Sequence, residues 1–404
     1  MANGARLDVG VFGIRGIPST YGGYETFLTV FLPQLAAKGH RVTLYCRRGH
    51  CEGGDYEGVS RVVLPVIESK QLGTLSHGAV SAIRARLAGH DVVLTFNVAN
   101  AVFALFLRAS GQRVVMNTDG QEWLRGKWGR LSRAYFRYSA KVARLSASLV
   151  TDSMAMRDVY EQQFGAHSTV IPYCWTEIAG GDRGDILSSL GLEPQGYLLV
   201  AGRLVPENNI DRVARAYVGS SLELPLLVLG TANYNSPVER SLRKLAARDP
   251  RIKLGGHLKD RVGYAALVRN SAAYVHAHSA GGINPSLLEA MGCGARILAL
   301  ATPFNREALG EAGSYFDDFA TELPGRLREI EASSPTETRA YRDAAEARAL
   351  HLFSLTAVTD AYEALLLEVR RCRPWSQVVV PTSWDPTPTP GDVAAAKCKT
   401  PEQA

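Results

Sequence analysis

The chain has 404 residues, 46% of them hydrophobic and 21% charged, and carries a net charge of +6. That length exceeds one ordinary core and fits two domains of common size, and the composition excludes a disordered or fibrous protein. No stretch approaches the roughly 18 uninterrupted apolar residues of a membrane-spanning helix, so none is expected.

Residues 1–6 run straight into an apolar strand without a signal-peptide core, and the expected location is cytoplasmic. Cys46, Cys51, Cys174, Cys293, Cys372 and Cys398 show no Cys-x-x-Cys spacing. They read as reduced thiols, with neither a zinc site nor a disulfide framework. Charge is uneven: residues 1–180 hold 20 Lys/Arg and 13 Asp/Glu, the remainder 25 and 26. A basic half beside a near-neutral half implies that the first half meets something anionic.

Residues 7–14 read as a buried parallel strand, followed by a loop containing Gly22-Gly23, an amphipathic helix to about residue 40, and a second strand at 41–46. This βαβ unit predicts a doubly wound sheet with its ligand at the strands' carboxyl ends. The loop lacks Gly-x-Gly-x-x-Gly, although Arg47-Arg48 after the second strand keeps an NADP oxidoreductase as an alternative. Residues 91–96 and 112–117 read as further strands. The second opens into Thr118-Asp119-Gly120-Gln121-Glu122-Trp123, where a carboxylate at a strand end, Asp119, suits a base or a hydroxyl binder. The competing reading is a plain Asp-Gly turn.

Residues 125–144 contain seven Lys/Arg and no Asp/Glu. Arg130, Arg133, Arg137, Lys141 and Arg144 stripe one predicted helix face beside Leu131, Tyr135, Tyr138 and Leu145, a pattern suited to an anionic membrane surface. A solvated helix face and nucleic-acid binding are the alternatives. Strands at 149–152 and 168–172 close the first domain, and the second opens with a strand at 196–201 ending in Gly202-Arg203. A guanidinium there can grip a diphosphate bidentately. Strands at 225–230 and 252–258 follow.

An apolar run at 272–277 then leads into His278-Ser279-Ala280-Gly281-Gly282-Ile283-Asn284-Pro285-Ser286-Leu287-Leu288-Glu289-Ala290-Met291-Gly292. Gly281 and Gly282 let the backbone approach a ligand closely. Asn284 is placed to cap a helix and Pro285 to occupy its first position. The helix start makes an anion site, while Glu289, too far into the helix for that, suits sugar hydroxyls. A strand at 296–300, a helix from about 354 to 371, and a Pro/Thr-rich polar tail expected to be disordered complete the chain.

The stretch from His278 to Gly292 resembles the donor-site signature of retaining nucleotide-sugar glycosyltransferases of the GT-B fold. The Gly-Gly-x-Asn-Pro-Ser form, with Pro206-Glu207-Asn208-Asn209 and Asp119-Gly120-x-Glu122-Trp123, is similar to a bacterial rhamnosyltransferase-like subgroup of surface-polysaccharide assembly. The resemblance spans residues 7–370 and implies two Rossmann-like α/β domains facing a central cleft. These are an acceptor-side domain at 1–175 and a donor domain at 176–372 whose final helix crosses back, followed by the tail at 373–404. Two positions depart from the family pattern: Gly281 stands where it has a glutamate and Asn208 where it has a lysine.

By that resemblance Gly22, Gly23, Arg203, Asn208, Gly281, Gly282, Asn284, Pro285, Ser286 and Glu289 surround the donor, with Glu289 on the ribose. Asp119, Glu122 and Trp123 face the acceptor, and Asp119, Arg203 and Glu207 form the catalytic set. No Asp-x-Asp occurs, so no metal and no cofactor are expected. Transfer with retention is implied, from dTDP-L-rhamnose as first guess to a polyprenyl-diphosphate-linked saccharide, at the inner face of the cell membrane. A non-catalytic nucleotide-sugar-binding module and a hydrolytic epimerase of the same fold are the rivals.

Overall fold

The computed structural model describes residues 6–18, 23–67, 69, 72–125, 128–175, 184–232 and 236–380. They fall into two compact units. The first comprises Met1–Cys174, Gly281–Ile283 and Leu355–Asp385; the described residues of the second lie in Trp175–Ala280 and Asn284–Ser354.

In chain order the first unit runs β1 (Asp8–Phe12), α1 (Gly23–Ala37), β2 (Arg41–Arg47), β3 (Gly54–Tyr56), β4 (Val59–Leu64), α2 (Leu72–Ala88), β5 (Val92–Phe96), α3 (Ala101–Ala109), β6 (Val114–Asn117), α4 (Arg130–Ser146), β7 (Ser148–Thr151), α5 (Met154–Phe164) and β8 (Ser168–Val170). Among the described residues its sheet has the order β3-β4-β2-β1-β5-β6-β7-β8. Val9 pairs with Val42 on one side and Val92 on the other, both in parallel. Strands buried on both faces favour apolar side chains on both, which is why β5 reads Val-Val-Leu-Thr-Phe without alternation, Thr95 being its one polar residue. Chain order reverses direction between β1 and β5, so a ligand crevice is expected at their carboxyl ends.

The antiparallel β3–β4 hairpin was not legible in the sequence. Its two-residue turn, Glu57-Gly58, takes φ of 49° and 83°, the left-handed pair that hairpins favour. Asn-Gly or Asp-Gly would have announced it; Glu-Gly does not.

The second unit contains α6 (Gly184–Ser189), β9 (Leu198–Ala201), α7 (Ile210–Val218), β10 (Leu226–Leu229), α8 (Pro237–Ala246), β11 (Ile252–Gly256), α9 (Arg261–Arg269), β12 (Ala273–His276), α10 (Pro285–Gly292), β13 (Ile297–Leu300), α11 (Pro303–Leu309), β14 (Ser314–Phe316), α12 (Leu323–Glu331) and α13 (Pro335–Leu352). Its described strands are ordered β11-β10-β9-β12-β13-β14, the dinucleotide-fold order, with the reversal between β9 and β12. Leu198, Val200, Ile210, Val213, Tyr217, Val228 and Val275 build the core on one sheet face.

The last helix, α14 (Leu355–Arg371), belongs to the first unit. Its Tyr362 is fully buried, 4.7 Å from the Phe31 ring, and its hydroxyl accepts from Asn117 Nδ2 at 2.8 Å. Residues 373–380, expected as the start of a disordered tail, are instead tied down. Arg108 donates to the carbonyls of Pro374 and Trp375. Val378 N–H reaches Ser148 Oγ, and Val380 N–H reaches Thr169 Oγ1, each at 3.0 Å. A polar, proline-rich composition disfavours a packed core but leaves backbone N–H groups free to bond strand-start hydroxyls.

Candidate functional site

At the switch point of the second unit, β9 ends at Ala201 and the chain turns through Gly202. A Cβ on Gly202 would meet His278 Nε2 at 2.9 Å and Asn208 Nδ2 at 3.2 Å. Arg203 follows, exposed, with no side-chain partner among the described residues. Asn208, expected to contact the donor, is buried and donates its amide to the Arg203 carbonyl at 2.8 Å. It holds the turn from which Arg203 projects. Asn209, in the left-handed region at φ 54°, donates to Ala277 O at 2.9 Å. Ser279 N–H and Oγ both donate to Glu207 O, at 2.9 and 3.0 Å. The exits of β9 and β12 are therefore stitched together.

Glu207 itself is half-buried, and its Oε2 has no hydrogen-bond partner among the described residues. A buried carboxylate oxygen left in that state costs free energy that a donated hydroxyl would recover. At the exit of β12, His276 and His278 have ring centroids 4.3 Å apart. Burial, then the neighbouring His278, push His276 well below the ordinary histidine range, so it is neutral.

Gly281 and Gly282 take φ of 121° and 101°, the conformation only glycine adopts without strain. They group with the first unit, where a Cβ on Gly282 would stand 2.1 Å from Asp152 Oδ2, which accepts from Ile283 N–H at 3.1 Å. The close approach at Gly282 is thus to a protein carboxylate. Asn284 occupies the N-cap position and Pro285 the first turn of α10, but the Asn284 side chain makes no capping bond. The buried Tyr274 donates its hydroxyl to Ala201 O at 3.2 Å, and Leu287, Leu288 and Met291 are fully buried. Glu289, read as a ribose binder, pairs through Oε1 with Arg261 Nη2 at 2.6 Å. Burial lowers Arg261, but Glu289 more than restores it and the guanidinium ends above its ordinary value. Arg261 went unnoticed in the sequence; its signal was Asp260 capping α9 through Gly263 N–H at 3.0 Å.

In the first unit, Asp119 follows β6 in the left-handed region at φ 58°, half-buried, its N–H donating to Asn117 Oδ1 at 2.9 Å. Asp tolerates that conformation at roughly 1 kcal/mol. Asn117, bonded on its other side to Tyr362, is the positioning residue the sequence reading missed. Glu122 and Trp123, expected to face the acceptor, are both buried among side chains of the first unit. Glu122 is buried with both oxygens taken, Oε1 by Arg125 Nε at 2.6 Å and Oε2 by Trp128 Nε1 at 2.7 Å. Trp123 is buried edge-on to Tyr160 and Phe164 at 6.0 and 5.2 Å. Gly22 lies outside the described residues, and Gly23 opens α1. A cavity of about 500 Å³ in the second unit, lined by Arg269, Ala272, Gly294 and Arg342, sits where strands begin and is separate from the switch point.

Residues 21–174 match the profile of Glycosyltransferase Family 4. The first unit is therefore similar to a Glycosyltransferase Family 4 domain over those residues. The enzyme class expected from the motifs, glycosyltransferase, stands on that domain. Among solved structures, the chain is similar to sucrose-phosphate synthase from Thermosynechococcus elongatus, with TM-score 0.74 and 16% identity over 90% of this chain and 99% of that one. It is also similar to Anabaena HepE in complex with UDP-glucose, with TM-score 0.72 and 16% identity over 89% and 99%. WaaG, a glycosyltransferase involved in lipopolysaccharide biosynthesis, gives 0.69 and 18% over 89% and 99%. These likenesses establish the fold: two parallel-sheet Rossmann-like domains of the GT-B type. No curated protein matches the chain by sequence.

In the first unit, α4 exposes Arg130, Arg137, Lys141 and Arg144, while Arg133 is half-buried. Leu131, Tyr138 and Leu145, seven apart, are 86%, 58% and 54% exposed on the same helix. Trp128, just before this helix, donates to Glu122 Oε2 at 2.7 Å, and Tyr135 donates to Ala99 O at 2.8 Å. No helix among the described residues is long and apolar enough to cross a membrane.

Proposed function

We propose that the chain is a retaining, metal-independent glycosyltransferase moving a sugar from a nucleoside diphosphate to a hydroxyl of a lipid-linked saccharide in cell-surface polysaccharide synthesis. The observation that carries this reading is Arg203, an exposed guanidinium with no side-chain partner among the described residues, at the exit of β9 beside the reversal of strand order. A cation held there by Asn208 is preorganised for the charge that develops on a leaving diphosphate. The start of α10 supplies further N–H groups, Glu289 a sugar-hydroxyl acceptor, and Asp119 the carboxylate that orients or deprotonates the acceptor. The similarity to HepE in complex with UDP-glucose supports a nucleotide-sugar donor. dTDP-L-rhamnose is the first donor to try, on motif resemblance.

The exposed face of α4 supports docking at the inner face of the cell membrane. Each of its basic residues contributes about 1 kcal/mol near an anionic surface, so four suffice for reversible attachment. Charge reversal at Arg130, Arg137 and Lys141 is expected to abolish sedimentation with anionic vesicles; wild-type protein that ignores such vesicles removes the membrane from the proposal.

A second reading, a nucleotide-sugar-binding module without turnover, is favoured by Gly281 and by Asn208, whose amide is committed to a backbone carbonyl. A panel of nucleotide sugars with and without a lipid-linked acceptor separates the readings. Transfer requires the acceptor, epimerisation does not, and a binding module retains the donor intact.

A further inference from the structure

We infer that Cys46 and Cys51 are a reversible dithiol–disulfide site set against the β1–α1 loop. Cys46 is the buried penultimate residue of β2, and Cys51 lies half-buried just beyond it. The turn between them, closed by His50 N–H on Arg47 O at 3.3 Å, brings Cys51 back over the strand end. Both sulfurs converge on Gly16. A Cβ there would stand 2.9 Å from Cys51 Sγ, 3.2 Å from Cys51 Cβ and 3.5 Å from Cys46 Sγ. Two thiols that crowd one backbone position from two neighbouring segments are placed for an S–S bond with little chain movement. The loop they face is fixed on either side of Gly16. Arg15 O accepts from Arg47 N–H at 2.7 Å, Arg15 N–H donates to Glu25 Oε1 at 3.1 Å, and Ile17 O accepts from Arg61 at 3.1 Å.

The division of labour follows from exposure. Burial, and then the Cys51 thiol, raise Cys46 far above the usual thiol range, which leaves the half-exposed Cys51 as the first nucleophile. With oxidised glutathione as the oxidant, the Cys51 thiolate attacks one sulfur, releases one glutathione thiolate and forms a mixed disulfide. Cys46 then gives up its proton and attacks Cys51 Sγ, expelling the second glutathione. Two electrons and two protons leave the dithiol, and two molecules of reduced glutathione result.

The test uses the full chain and no activity readout, so it stands apart from the proposed function. After incubation with oxidised glutathione, non-reducing mass spectrometry is expected to show loss of two hydrogen atoms and a peptide cross-link between Cys46 and Cys51, reversed by dithiothreitol. Cys46→Ser is expected to stop at a glutathione adduct on Cys51, and Cys51→Ser to form neither product. A wild-type chain that keeps the adduct, stays fully reduced, or joins either cysteine to Cys174, Cys293 or Cys372 overturns the assignment.

Discussion

The loop after β6 in the first unit and the loop after β9 in the second both leave a strand's carboxyl end through a positive-φ residue, Asp119 and Gly202. Both then carry a run of polar or aromatic residues that reads as a binding site. After β6, the longest of these are spent inside the protein: Glu122 on Arg125 and Trp128, Trp123 between two aromatic rings. After β9, short amides do the tying, Asn208 and Asn209 each on a backbone carbonyl, and the long cation Arg203 is left to solvent. In both loops the residues that tie the backbone outnumber those that are presented. Only one charged group in each, Asp119 or Arg203, stands at the strand exit itself.

The largest effect that tests this division is Trp123→Ala. Removing a buried indole is expected to cost about 3–5 kcal/mol of stability, read from denaturant midpoints; an unchanged midpoint would return Trp123 to the acceptor side. Arg203→Ala is expected to act the opposite way, leaving the midpoint alone and removing about 2–4 kcal/mol of transition-state stabilisation in sugar transfer. Equal kinetics in the folded variant would take Arg203 out of the site.

Acid offers a test that reaches both units. Burial, with Arg47 next, lowers His77 of α2 from 6.5 to about 4, and His276 of β12 is lowered as well. An unfolded chain binds protons that these folded histidines refuse. Their contribution is therefore complete above pH 6.5 and falls away as pH drops towards 4, by roughly 3 kcal/mol for His77. Melting temperature against pH should show that decline, and His77→Asn should flatten the first unit's share. A smaller loss, about 1–3 kcal/mol, is expected for Glu122→Gln, which weakens two charge-assisted bonds. Asn208→Ala should be the mildest, about 1 kcal/mol in stability, with donor affinity reduced only through the slackened Arg203 turn; titration with UDP checks it.

Much of the frame was legible because parallel strands announce themselves as unbroken apolar runs, and β1, β5, β9, β10 and β12 were read that way. The helix start at Pro285 was equally plain. Local chemistry is silent where partners come from elsewhere in the chain. Nothing between residues 117 and 128 shows that Trp123 meets Tyr160 and Phe164, and nothing near 208 shows which carbonyl its amide takes. Asn117 and Arg261 were invisible for the same reason, since their meaning depends on Tyr362 and Glu289.

The return of α14 to the first unit has a consequence for biosynthesis. Phe27, Phe31 and Asn117 leave the ribosome early, yet Tyr362, which closes over them, emerges only after residues 175–354 have been made. The second unit has nearly all its chain before the first can finish. Throughout that interval the nascent first unit carries an uncovered aromatic patch and an unmet amide, a natural foothold for a chaperone.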